Sequence, residues 1–438
     1  MKITSSKSNP LSGNVDIPGD KSISHRALML GGIAIGETTV HGLLEGEDVI
    51  ATADAMRKMG AEITKNNDGT WTCHGVGIGG LQEPDSVLDM GNSGTSTRLL
   101  MGLVGGHNIT VQMTGDASLT KRPMNRVIKP LEMMGTKISA REDGKLPLSL
   151  TGPKDMLPIE YKLPVASAQV KSCVLLAGLS AMGATAVIEE KPTRDHTENM
   201  LRHFGVDVNV TKTDDGADKI SVTGHKDLKG TIIHVPADPS SAAFPTVAAI
   251  LVEGSDIKMN NILMNDRRNG LYTTLIEMGA DINFENERIE AGEKVADLIV
   301  KSSALKGIDV PASRVPSMVD EFPILMVAAS LAEGTTTMTG LEELRVKESD
   351  RLLMMYEGLK ACGVNCKMTE DSMTIHGNRT PPPGGVEVKT ELDHRIAMSF
   401  LILGTVTKNP VTIDDGAPIK TSFPNFIEMM NGLGTQIA

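Results

Sequence analysis

Met59-Gly60-Ala61-Glu62-Ile63 is one of six short stretches that decide how this chain is built. Its echoes are Met134-Gly135-Thr136-Lys137-Ile138, Phe204-Gly205-Val206-Asp207-Val208, Met278-Gly279-Ala280-Asp281-Ile282, Cys362-Gly363-Val364-Asn365-Cys366 and Leu433-Gly434-Thr435-Gln436-Ile437. In each, an apolar residue precedes the Gly and apolar positions alternate after it. The glycines stand 75, 70, 74, 84 and 71 residues apart, so the chain reads as six units of similar length. A helix closed by a glycine in the left-handed conformation and followed by a strand has this signature.

Upstream in each unit a turn of small polar residues opens an apolar segment. These turns are Ile17-Pro18-Gly19-Asp20-Lys21-Ser22, Asp89-Met90-Gly91-Asn92-Ser93-Gly94, Leu163-Pro164-Val165-Ala166-Ser167, Val235-Pro236-Ala237-Asp238-Pro239-Ser240, Val315-Pro316-Ser317-Met318-Val319-Asp320 and Leu392-Asp393-His394. Ser, Asp and Asn ahead of apolar runs are helix N-cap signals. Between the two helices comes a β-type run opened by Gly, as in Gly36-Glu37-Thr38-Thr39-Val40 and Gly334-Thr335-Thr336-Thr337-Met338. A unit therefore reads strand, helix, strand, helix, strand, with a further short strand. The class is α/β (α+β), and six units suit two globular halves of three. If the units pack with pseudo-symmetry, their helix N-termini converge. Free N–H groups and partial positive charge would then make an anion site.

Composition agrees with two domains in a globular chain of 438 residues, 40% hydrophobic and 22% charged. Aromatic content of 3% and a net charge of -12 speak against nucleic acid, which asks for stacking surfaces and a broad basic footprint. Met1-Lys2-Ile3-Thr4-Ser5-Ser6-Lys7 has no apolar run after its charges. No stretch approaches the roughly 20 apolar residues of a membrane span. Four cysteines do not make a disulfide framework in so long a chain. A cytoplasmic protein is expected.

Reactive side chains collect at the helix starts. The first unit offers Lys21, Ser22 and Arg26, with Ser22 and Arg26 one helical turn apart. The second offers Asn92, Ser93, Gly94, Thr95 and Arg98, and the third Ser167, Gln169 and Lys171. Asp320 and Glu321 lie in the fifth unit, His394 and Arg395 in the sixth. Connecting segments add Lys121-Arg122-Pro123, Arg194 and Lys347-Glu348-Ser349-Asp350-Arg351, where a helix would put Lys347 and Arg351 on one side. Asp320 and Glu321 are expected as a helix N-cap and its first turn. Gly75-Val76-Gly77-Ile78-Gly79-Gly80 lacks the strand and helix that a dinucleotide loop needs. Gly19-Asp20-Lys21-Ser22 lacks the earlier Gly of a nucleotide phosphate loop. Cys362 and Cys366 fall where other units have Met, Phe, Leu, Ile and Val, so both belong to the core. No metal spacing is present.

Six segments, in order along the whole chain, carry a family resemblance. They are Pro18-Gly19-Asp20-Lys21-Ser22-Ile23-Ser24-His25-Arg26, Gly91-Asn92-Ser93-Gly94-Thr95, Leu119-Thr120-Lys121-Arg122-Pro123-Met124, Ala166-Ser167-Ala168-Gln169-Val170-Lys171-Ser172, Leu344-Arg345-Val346-Lys347-Glu348-Ser349-Asp350-Arg351 and Asp393-His394-Arg395-Ile396-Ala397-Met398. The chain resembles the 5-enolpyruvylshikimate-3-phosphate (EPSP) synthase family, which serves the shikimate pathway to aromatic amino acids. The resemblance implies a two-domain inside-out α/β barrel of six βαβαββ repeats, three per domain. Residues 20–237 would form the N-terminal domain; 1–19 and 238–438 would form the C-terminal one. It implies transfer of the enolpyruvyl group of phosphoenolpyruvate to the 5-hydroxyl of 3-phosphoshikimate, by a monomer with no metal or cofactor.

By the same resemblance Lys21, Ser22, Arg26, Ser167, Ala168, Gln169, Arg194, Asp320 and Lys347 hold 3-phosphoshikimate. Lys21, Gly94, Arg122, Gln169, Arg351 and Arg395 surround phosphoenolpyruvate. Asp320 is the expected base for the 5-hydroxyl. Glu348 is the expected acid for the methylene carbon, with Lys21 its rival. Gly94 leaves room for the inhibitor glyphosate at the phosphoenolpyruvate site. Lys420 stands one position ahead of the lysine that many members carry before the motif seen here as Ser422-Phe423-Pro424, so no role is carried over to it. The related transferase for a UDP-linked amino sugar has a reactive Cys in the loop matching Gly115–Pro123 and Asn after the first Lys; this chain has no Cys in that loop and Ser22 after Lys21. A repeat scaffold would have degenerate charges at the helix starts. An RNA-end-processing enzyme of similar units would show a His nucleophile and a more basic surface.

Overall fold

Six four-stranded sheets run through the chain with one strand pattern. In each, an edge strand is parallel to its neighbour, and that neighbour is antiparallel to the strand beyond. The computed structural model describes residues 1–438. Contacts divide it into an N-terminal unit, Gly19–Val235 with Glu290–Glu293, and a C-terminal unit, Met1–Pro18, Pro236–Ile289 and Lys294–Ala438.

Helices of the N-terminal unit are α1 (Lys21–Gly31), α2 (Glu47–Lys58), α3 (Gly94–Gly105), α4 (Asn125–Met133), α5 (Ala168–Gly178) and α6 (His196–His203). Those of the C-terminal unit are α7 (Pro239–Leu251), α8 (Gly270–Glu277), α9 (Val315–Met318), α10 (Phe322–Leu331), α11 (Arg351–Ala361), α12 (His394–Gly404) and α13 (Phe426–Leu433). All six repeat glycines have positive φ, from 85° at Gly205 to 121° at Gly434, as left-handed helix ends require.

The repeat spacing suggests units contiguous in sequence, but three sheets borrow a strand from elsewhere in the chain. Ile232–His234 pairs with Glu37–His41, and Ser12–Val15 pairs with the strand Asp256–Leu263. Ile3–Ser6 lies between Val411–Ile413 and Gln436–Ile437. Each borrowed strand satisfies backbone groups that would otherwise be left open along its neighbours.

In both units one helix of each pair is buried on every side. In α3 only Thr95 and Arg98 escape burial, in α5 only Ala168 and Gln169, in α1 only Lys21 and Ser22, and in α12 only Arg395. The helices pack closely: a Cβ on Gly102 of α3 would fall 2.3 Å from the Cys173 carbonyl of α5. Apolar flanks pull these helices inward, and their polar ends alone remain accessible. No helix is long and apolar enough to cross a membrane.

Candidate active site

In the N-terminal unit the site grows from three helix starts. Asp20 caps α1, accepting from the Ile23 N–H at 2.8 Å. Ser93 caps α3 at 3.2 Å and Ser167 caps α5 at 3.4 Å. Side chains in the first turns cross-link the helices. Gln169 accepts from Arg98 Nη1 at 2.9 Å and donates to Thr95 Oγ1 at 3.0 Å, joining α5 to α3. His25 Nδ1 lies 2.8 Å from Thr52 Oγ1 and 3.1 Å from Ser96 Oγ, joining α1 to α2 and α3. The tips of α1, α3 and α5 thus gather within this unit.

Cations line the gathered tips. Lys21 Nζ is 2.5 Å from Asp48 Oδ2. Arg26 donates to Thr197 Oγ1 at 2.7 Å, Ser172 Oγ at 2.8 Å and its own helix's Ser22 carbonyl at 2.9 Å. Burial pushes the Arg26 guanidinium down to about 10, against the opposing pull of Glu198. Arg122 reaches back to Asn92 Oδ1 at 2.6 Å and Ser118 Oγ at 3.0 Å. Its Nη1 would lie 3.3 Å from a Cβ on Gly94, so Gly94 stands beside it. Arg194 sits in the irregular segment before α6 and adds positive potential at Arg26.

In the C-terminal unit one guanidinium organises the candidate proton-transfer groups. Arg351, 1% exposed, donates Nη1 to Asp320 Oδ1 at 3.1 Å and Nη2 to Glu348 Oε2 at 2.5 Å. Its Nε donates to Asp393 Oδ2 at 2.8 Å. Burial opposes the charge on Arg351, but Asp393, Glu348 and Asp320 outweigh it and raise its pKa. Asp393 also caps α12 through the Arg395 N–H at 2.9 Å, while Arg395 Nη1 approaches the Asp320 carbonyl at 3.4 Å. Lys347 lies 3.7 Å from Glu343 Oε2. Asp320, Glu348, Arg351 and Arg395 are therefore brought together, with the two carboxylates on separate nitrogens of one fork.

Two local expectations are corrected. Lys347 and Arg351 do not share a helix face, because Asp350 caps α11 at Leu353 N (3.0 Å) and starts the helix at Arg351. Asp320 does not cap α10 either. It lies in a 3-10 turn, Val319–Glu321, behind the four-residue α9, and Glu321 bonds to Ser240 instead of to its own helix. Lys420 lies exposed on another 3-10 turn.

Sequence reading passed over Asp48, Thr52 and Asp393 as functional supports. The first two sit in α2, an amphipathic helix without distinguishing residues; Asp393 was legible as a cap but not as the counter-ion of Arg351. Asp195, His196 and Glu293, all in the N-terminal unit, offer three metal-type ligand atoms within 4.8 Å of one another. His196 Nδ1 is already hydrogen bonded to Glu293 Oε1 at 2.8 Å.

Such side chains define a class in chemical terms: a protein with guanidinium groups at helix tips and a carboxylate pair on one buried guanidinium. A family model for EPSP synthase (3-phosphoshikimate 1-carboxyvinyltransferase) matches residues 5–430. The 3-phosphoshikimate 1-carboxyvinyltransferase of Paramagnetospirillum magneticum is 58% identical over 436 residues, covering 100% of this chain and 98% of that protein. That of Chelativorans sp. is 59% identical over 99% of this chain and 97% of its own. The structure of EPSP synthase from Acinetobacter baumannii superposes with a TM-score of 0.88 at 48% identity, covering 100% of this chain and 99% of that one. The chain belongs to the EPSP synthase family.

Proposed function

We propose that this chain is a 3-phosphoshikimate 1-carboxyvinyltransferase of the shikimate pathway, moving the enolpyruvyl group of phosphoenolpyruvate onto the 5-hydroxyl of 3-phosphoshikimate. One observation carries the reading: within a family of that activity, the only open parts of the buried helices α1, α3, α5 and α12 bear Lys21, Ser22, Thr95, Arg98, Ala168, Gln169 and Arg395. Planar guanidinium forks suit carboxylate and phosphate, which both substrates carry.

In this reading Lys21, Ser22, Arg26, Ser167, Ala168, Gln169, Arg194, Asp320 and Lys347 hold 3-phosphoshikimate. Lys21, Gly94, Arg122, Gln169, Arg351 and Arg395 hold phosphoenolpyruvate. The 5-hydroxyl oxygen bonds to C2 of phosphoenolpyruvate and gives its proton to Asp320. The methylene carbon takes a proton from Glu348, with Lys21 the rival donor. The tetrahedral ketal then expels phosphate, and the methyl carbon returns a proton to restore the enol ether. Each unit would be an inside-out α/β barrel of three repeats, with domains at 20–237 and at 1–19 plus 238–438. The six sheets of common strand order support that reading. We further infer a cytoplasmic monomer that glyphosate inhibits in competition with phosphoenolpyruvate.

Phosphate release from a mixture of both substrates is the test. Asp320→Asn and Glu348→Gln should each lower kcat by about 10² to 10⁴. Release with a UDP-linked amino sugar in place of 3-phosphoshikimate would reassign the chain.

A further inference from the structure

Helix α5 carries one charged residue, and it is buried. Lys171 is 0% exposed, between Val170 and the buried run Cys173–Leu176. A buried ammonium is costly unless every proton is bonded. Here the ammonium donates to Glu189 Oε1 at 2.9 Å and to the Thr193 carbonyl at 3.3 Å, and it pairs with the charge of Glu198 Oε1 at 2.8 Å. Both carboxylates are as buried as the lysine, at 1% and 2% exposure.

The Thr193 carbonyl decides what the cluster does. Thr193 lies in the irregular segment between the strand Ala184–Glu189 and α6. Its carbonyl is held by Lys171, and its N–H and hydroxyl donate to Glu189 Oε2 at 3.2 and 2.7 Å. Every hydrogen-bonding group of Thr193 is thus tied to one ion pair, and the next residue is Arg194. Ser172, beside Lys171 on α5, bonds Thr197 Oγ1 at 2.7 Å and accepts from Arg26 at 2.8 Å. Two adjacent residues of α5 therefore hold the Arg26 side chain and the backbone that leads into Arg194. Glu198 Oε2 has no hydrogen-bond partner, and its charge bears on Arg26. A hydrophobic residue at 171 would fill the space without this geometry.

We propose that Lys171, with Glu189 and Glu198, is a positioning device for Arg194 and Arg26 that sets affinity for 3-phosphoshikimate and leaves the chemistry of enolpyruvyl transfer alone. This rests on the function proposed above and adds residues that touch no substrate.

Three full-length variants test it. Lys171→Met breaks the clamp but strands two carboxylates. Lys171→Met/Glu189→Gln/Glu198→Gln breaks it without stranded charge, and Thr193→Val removes one bond. Loss of a buried charged hydrogen bond corresponds to about a 10- to 100-fold change. KM and the calorimetric Kd for 3-phosphoshikimate should rise by about that range in the two Lys171 variants and about tenfold in Thr193→Val. KM for phosphoenolpyruvate and kcat should move by less than about threefold. The triple variant should melt above Lys171→Met without recovering its KM. Folded triple and Thr193→Val proteins with unchanged KM for 3-phosphoshikimate would overturn the role of Lys171. So would an equal rise for both substrates, or recovery of KM together with thermal stability. Wild-type protein that neither binds nor turns over 3-phosphoshikimate overturns the proposed activity itself.

Discussion

A Cβ on Gly94 would meet Nη1 of Arg98 at 3.0 Å and Nη1 of Arg122 at 3.3 Å, and Leu119 at 3.8 Å. The two close contacts are ends of flexible side chains, so Gly94→Ala should fold and displace guanidinium groups by a few tenths of an ångström. We propose that glyphosate fills the space beside Gly94 more fully than the flat substrate does. The variant is expected to raise the glyphosate inhibition constant more than the KM for phosphoenolpyruvate; equal changes in a steady-state assay would contradict this. The polar first turns of α1, α3 and α5 were legible from the repeat, and the role expected of Gly94 only from the family resemblance. The partners were not. Asp48 approaches Lys21 from 27 residues away, and nothing local in α2 marks it.

At the scale of the element, helix ends follow local rules. Five of the six deeply buried helices have the Asp or Ser cap that the sequence suggests, at Asp20, Ser93, Ser167, Asp238 and Asp393. The sixth, α10, departs: Asp320 lies inside the preceding 3-10 turn, and Glu321 at the helix start accepts from Ser240. The left-handed glycines are equally local. Gly60 has φ of 98° and only Gln82 near its missing Cβ, at 3.4 Å, so Gly60→Ala is a backbone test. It should cost about 1 kcal/mol in chemical denaturation with kcat unchanged.

Helix α1 adds a pH effect. Burial, then Lys21 and Arg26, hold the His25 ring well below its ordinary 6.5, against Asp20. The unfolded chain binds this proton below about pH 6.5 and the folded chain does not, so stability is complete above that pH and falls as pH drops through it. The slope is up to about 1.4 kcal/mol per pH unit from this group. Denaturation midpoints between pH 8 and 5 should decline less steeply in His25→Asn than in wild type.

For the whole molecule, all four cysteines are free and buried. Burial pushes the Cys73 and Cys362 thiols up to about 12 and raises Cys173 and Cys366 as well. Thiolate is the reactive form. An aromatic disulfide reagent should leave the native protein active and untouched over minutes, then titrate all four thiols in denaturant. Prompt loss of activity would show that one of these thiols is accessible in the native protein, against their burial.

The repeat, the helix caps, the core positions and the charged first turns are determined by sequence alone, because each depends on neighbours within a few residues. Tertiary structure alone decided that Ser12–Val15 pairs beside Asp256–Leu263, that Arg351 answers Asp320, Glu348 and Asp393 together, and that Lys171 clamps the approach to Arg194. Strand edges and buried charges are satisfied by whatever group packing brings within about 3 Å. That group is set by how buried helices stack, and no spacing along the chain encodes it.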